Sequence, residues 1–194
     1  MRERRIPQHQ QLLTEAIERE ASAHRMMLAG DAEDARSVLA EAAVLYRRSW
    51  EQAPERAFGR LVGMLKATLL AGDEADEAAA YVRTAVPDPD SASSWYARGI
   101  AALIAGDDET AIRAAAGMRD DDAAFSRAAD AIDAVARRDA GACASAIGAI
   151  VADFEARSDH LTGVPIADTA LMLERLATAR GIEAAPESEL LPRC

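Results

Sequence analysis

The chain has 194 residues, 22 basic and 33 acidic side chains, a net charge of −11 and two cysteines. The length suits one domain with a sizeable core, and the 50% apolar content excludes wholesale disorder. Forty-seven alanines against eight aromatic residues exclude an all-β fold, since alanine favours helix and aromatics favour strand.

In chain order, apolar periodicity and breakers predict helices near 8–28, 31–53, 56–71, 74–85, 92–105, 108–117, 122–138, 141–157 and 166–180. Three corners are punctuated alike, by Gly30-Asp31, Gly72-Asp73 and Gly106-Asp107. Glycine takes the left-handed conformation that ends a helix, and aspartate caps the free N–H groups of the next one. The run Val86-Pro87-Asp88-Pro89-Asp90 cannot be helical because of its prolines. Gly117 to Asp121 reads as a short loop, with Asp122 as the following cap. Ser158 to Val164 reads as another, with Pro165 placed to open the last helix and Gly181 to close it. That last helix carries Ile166, Ala170, Leu173, Leu176 and Ala177 on one face, as expected of a helix that seals the end of a stack. An irregular tail, 182–194, follows.

The second and third corners lie 34 residues apart, the period of the tetratricopeptide repeat. The stretch Ala92–Arg113 resembles that family's consensus without a gap: Trp95 at the aromatic position, Gly99 where helices touch, Gly106 at the turn and Ala111 in the second helix. A preceding copy keeps Leu61, Gly72, Ala78, Tyr81 and Pro89, and a first copy keeps Ala23, Gly30 and Ala35. A fourth aligns Gly141, Ala146 and Ile147 with Gly106, Ala111 and Ile112, matches Ala134 to Gly99, and has Asp130 in place of Trp95. The resemblance implies one all-α domain over 1–194: a right-handed stack of antiparallel helix hairpins, or α-solenoid, of about nine helices. Its hairpins would span about 8–53, 56–89, 92–118 and 122–157, with 166–180 as a closing helix. The small residues let helices approach, while Trp95, Tyr81 and the aliphatic positions fill the space between layers. The C-terminal third, from His160-Leu161-Thr162-Gly163 through Ala170 and Leu173 to Gly181-Ile182 and Leu190-Leu191-Pro192, resembles the end of a bacterial toxin-immunity family. That likeness implies neutralisation of a toxin by direct binding.

The residues offer little to catalysis. His9, His24 and His160 are far apart in sequence, no His-x-x-x-His or Cys-x-x-Cys occurs, and Asp120-Asp121-Asp122 lacks the spacing of a calcium loop, so no metal is expected. Cys143 sits among alanines and Ile147 and reads as a buried thiol. No Gly-x-Ser-x-Gly occurs, no phosphate loop occurs, and Lys66 is the only lysine, so neither an enzyme nor a cofactor is expected. No run of about 18 apolar residues occurs to span a membrane, and no secretory leader is seen at the start. With two cysteines making no disulfide framework, the expected location is the cytoplasm.

Charge is uneven: residues 1–60 carry no net charge, 61–140 carry −7 and 141–194 carry −4. Nucleic acid would be repelled by most of this surface, and a basic protein partner would be steered towards it. Tetratricopeptide-like proteins bind peptides or proteins on the inner groove lined by the first helix of each hairpin. The resemblance assigns that groove to His24, Met27, Val62, Lys66, Leu69, Ser93, Tyr96, Ile100 and Leu103. These same residues could instead be core beneath the closing helix. Three functions follow: a protein-binding module, a toxin-neutralising immunity protein, or a self-associating structural protein that forms homo-oligomers.

Overall fold

The computed structural model describes residues 6–72, 74–119, 121–184 and 186–192. Among these the fold is all-α, with nine helices and no strand. They are α1 (Gln8–Ala29), α2 (Ala32–Gln52), α3 (Gly59–Ala71), α4 (Asp76–Ala85), α5 (Ala92–Ile104), α6 (Asp108–Met118), α7 (Ala123–Arg137), α8 (Ala140–Glu155) and α9 (Asp168–Thr178). No helix among the described residues is long and apolar enough to cross a membrane.

The corners form as backbone chemistry requires. Gly106 has φ of 72°, the Asp107 N–H returns 2.9 Å to the Ala102 carbonyl, and the Asp107 carboxylate accepts from the Thr110 N–H at 3.0 Å. Gly30 takes φ of 87° in the same way, but the Asp31 side chain makes no capping bond. Asp73 and Asp120 lie outside the described residues, as does Cys194. Asp122 caps α7 as expected, through the N–H groups of Ala124 and Phe125. Ser91 caps α5 in a reciprocal arrangement with Ser94.

Three boundaries differ from the sequence expectation. Arg56 takes φ of 72°, so α3 begins at Gly59 and not near 56. Pro165 does not open the last helix, which starts at Asp168; Ile166 is buried ahead of it. The fourth corner is Arg138-Asp139, not Gly141, which lies inside α8. Arg138 holds φ of 56°, and the Asp139 N–H returns 3.0 Å to the Ala134 carbonyl. Asp139 also caps α8 through the Ala142 N–H at 3.0 Å. Corner on corner, Ala131 then stands opposite Gly99 and Cys143 opposite Ala111, and all four are buried.

Helices adjacent in sequence pack together from α1 to α8, and alternate helices α3–α5 and α5–α7 also touch. Helices α3, α5 and α7 thus share one face of the row. The small residues sit where helices approach closely. A Cβ on Gly99 would come 3.1 Å from Ile132 and 3.3 Å from Ala114, and one on Gly63 would come 2.8 Å from the Tyr46 ring. Trp95 is only partly buried; it lies over Gly117, whose added Cβ would meet the indole at 2.6 Å.

The ninth helix departs from the expected order. It packs on α3 and α7 as well as on α8, across the face of the odd helices, rather than continuing the row at its end. Gly181, at φ of 73°, turns the chain after it, and the Ile182 N–H returns 3.0 Å to the Ala177 carbonyl. The tail then comes back, with the Ala167 N–H donating to the Leu190 carbonyl at 2.9 Å.

Candidate functional site

Helices α1, α3 and α9 enclose a buried charged cluster, and an open cleft lies beside it. Glu20 and His24 are four residues apart on α1, so they share a face, and both are fully buried. Lys66 reaches them from α3 and Asp168 from the first turn of α9, both nearly buried. Lys66 Nζ lies 3.3 Å from Glu20 Oε1 and donates to Asp168 Oδ2 in a close ion pair. Tyr46 Oη donates to Glu20 Oε2 at 2.6 Å, and His24 Nδ1 shares a hydrogen bond with Thr162 Oγ1 at 3.2 Å. Three parts of the chain that are remote in sequence, in α1, α3 and α9, thus meet at one ammonium group.

The cluster sets its own ionisation. Burial would lower the Lys66 ammonium, but Asp168 and then Glu20 outweigh it and hold it well above its ordinary value. Burial would raise the Asp168 carboxyl, but Lys66 and then His24 hold it below its ordinary value. Burial keeps the His24 imidazole low against the pull of Asp168 and Glu20. Tyr46 is pushed up, first by burial and then by Glu20.

Glu20, His24 and Asp168 also place one oxygen or nitrogen each within 4.8 Å of the others, a spacing a metal ion could draw on. Lys66 already supplies the positive charge there, touching both carboxylates, so the group is an ion-pair network about an internal cation. Glu20 and Asp168 lie 148 positions apart, so their pairing through Lys66 does not follow from proximity in the sequence.

Five of the nine residues assigned to an open groove lie in or against the core, and the C-terminal segment reaches four of them. His24 is fully buried and held against Thr162. Met27 lines a cavity of about 300 Å³ with Leu171, Pro186, Leu191 and Pro192. The Leu69 and Leu70 carbonyls accept from Arg175 Nη1 at 2.6 and 3.1 Å. Ile100 and Leu103 are core, and the Leu103 carbonyl accepts from Arg180, which also reaches Asp108 at 3.3 Å. His24, Met27, Ile100 and Leu103 are thus buried, and Leu69 is partly buried against the core.

Val62, Lys66, Ser93 and Tyr96 do line an opening. It is a cleft of about 470 Å³ between α1, α3, α5 and the turn ahead of α3. Its walls are Leu13, Ile17, Phe58, Val62, Tyr96 and Phe125, and Leu161 stands at the rim, 71% exposed. Tyr96 and Phe125 meet edge to face with centroids 6.0 Å apart. Burial pushes the Tyr96 phenol up to about 12. The size and lining are those of a site that takes an apolar group.

Cys143 is buried in α8, and burial, then Asp139, pushes its thiol up, which favours the unreactive protonated form. His160 packs its ring against Phe154, with centroids 6.0 Å apart. No family model matches this chain, and neither a curated protein nor a solved structure matches it.

Proposed function

We propose that the chain is a non-enzymatic, tetratricopeptide-like interaction module that binds a partner protein or peptide at the cleft between α1, α3 and α5. The observation that carries this reading is the cleft itself: about 470 Å³, walled by aliphatic and aromatic side chains, with Leu161 exposed at its rim. An exposed apolar hollow of this kind is costly in water unless something fills it. Rigid aromatics such as Tyr96 and Phe125 are favoured anchors for a partner's apolar side chain. The inner face beyond the cleft is filled by the chain's own α9 and tail, so the partner docks at one end of the inner face rather than along all of it.

A photo-crosslinking residue in place of Ser93, at the cleft, tests this against the same residue in place of Val44, exposed on α2 and away from the cleft. Crosslinking of one partner from Ser93 and not from Val44 is expected. Equal crosslinking from both positions, or none from Ser93, would remove the cleft from the function.

A further inference from the structure

Among the described residues, the charged ones lining the cleft are Arg56, Arg60 and Lys66, and no acidic residue lines it, although the chain carries −11 overall. Two of these three cations are already neutralised. Arg56 pairs with Asp90, and Lys66 pairs with Asp168 and Glu20. Arg60 differs. Its Nε donates to Ser49 Oγ at 2.8 Å, and its Nη2 lies 3.3 Å from His9 Nδ1, which must act as acceptor because guanidinium has none to offer. Both partners are neutral acceptors. No carboxylate among the described residues pairs with Arg60, and its Nη1 has no hydrogen-bond partner among them.

The fork is thus held in place by two neutral groups while its remaining donor and its charge are left over. Partial burial makes that leftover charge more expensive: desolvation pulls the Arg60 guanidinium below its ordinary value, and no anion opposes it. An arginine fixed from one side beside an apolar hollow is the arrangement that takes a carboxylate, by charge-assisted hydrogen bonds.

We infer that the cleft recognises an acidic–apolar segment of a partner protein, one apolar or aromatic side chain entering between Val62, Tyr96 and Phe125 and a neighbouring Asp or Glu carboxylate pairing with Arg60. This rests on the proposed docking at the cleft and names its chemistry. It also separates two scales of charge. The acidic surface as a whole steers basic partners over distance, while the contact inside the cleft requires an acid.

Selection of a displayed random-peptide library on the full chain tests it. The bound peptides are then synthesised with their Glu or Asp intact and as the amide, and measured against wild type and Arg60→Gln. Peptides with an acid next to an apolar residue are expected. Loss of the carboxylate should weaken binding to wild type by about tenfold, and the same loss should cost nothing against Arg60→Gln. A merely structural role for Arg60 would weaken both peptides alike, so it cannot mimic that pattern. Cleft-bound peptides without an acid, or an acid whose loss costs the same in both proteins, would overturn the inference while leaving docking at the cleft intact. Recovery of no cleft-bound peptide would overturn both. Circular dichroism of Arg60→Gln checks that the helices persist.

Discussion

Replacing Lys66 with methionine should be among the most damaging single changes in the chain. The ammonium is almost fully buried and answers two carboxylates, Glu20 at 3.3 Å and Asp168 in a closer pair. Methionine fills a similar volume, so little cavity forms, and the loss is electrostatic. Glu20, fully buried, would keep only the Tyr46 hydroxyl, and Asp168 would keep a nearby Thr169 hydroxyl at 3.3 Å. Removing one partner of a buried pair costs about 3–5 kcal/mol, because the remaining charge stays desolvated. At roughly 2–4 °C per kcal/mol for a chain of this size, the melting temperature should fall by about 10 °C. Urea unfolding followed by circular dichroism measures this directly. The double variant Lys66→Met, Asp168→Leu should recover a substantial part of the loss, since one stranded charge leaves with its partner. A Lys66→Met protein within about 1 kcal/mol of wild type would mean the cluster is solvated in solution and the pairing counts for little. Lys66→Glu should also destabilise strongly, which makes it a poor probe of partner binding even though Lys66 lines the cleft.

Acid should weaken the fold in two stages. The folded His24 value lies below 6.5, so the unfolded chain takes up that proton first; the stability is present above pH 6.5 and is lost as pH falls towards the folded value. The folded Asp168 value lies below 3.8, and its contribution goes later, as pH falls below that point. Urea titrations at a series of pH values should show a slope of at most about 1.4 kcal/mol per pH unit for the first stage, absent in His24→Gln; an unchanged slope in that variant would contradict the assignment. Gly63→Ala and Gly148→Ala should have opposite signs. At Gly63 the new methyl would meet, at 2.8 Å, a Tyr46 ring anchored on Glu20, and overpacking costs about 1–3 kcal/mol. At Gly148, inside α8, nothing lies within 4 Å, so alanine should add about 0.5–1 kcal/mol by helix propensity. Trp95→Ala should cost less than the 3–5 kcal/mol typical of a fully buried tryptophan, since the indole is only partly buried over Gly117. Thermal melts of the three variants check these signs.

The helices were legible because their ends carry distinctive chemistry. Glycine is the residue that takes a left-handed turn at little cost, so Gly30, Gly72 and Gly106 announce their corners. Arg138 makes the same turn without glycine, while Gly141 stands three residues further on, inside α8. The inward direction of His24, Met27, Ile100 and Leu103, which the tetratricopeptide resemblance implies, was also legible, and all four are buried. What covers them was not. The apolar face of α9 shows that the helix is buried somewhere, but not that it lies across α3 and α7. Glu20 and Asp168 read as ordinary surface acids in an acidic chain. One signal was available: the only lysine stands inside Leu61–Leu70, a helix of otherwise small and apolar residues, and a lysine buried there needs carboxylates.

Docking at the cleft is tested most directly by the affinity of a captured partner for wild type, Tyr96→Ala and Val44→Ala. Tyr96 forms a wall of the cleft without joining the buried ion pairs, while Val44 is 58% exposed on α2. Truncating a central aromatic anchor costs an interface about 2 kcal/mol or more. Binding to Tyr96→Ala should therefore weaken by roughly thirtyfold, with Val44→Ala unchanged and both proteins equally helical. Equal affinity for all three would place the partner elsewhere on the surface and leave the cleft without a role.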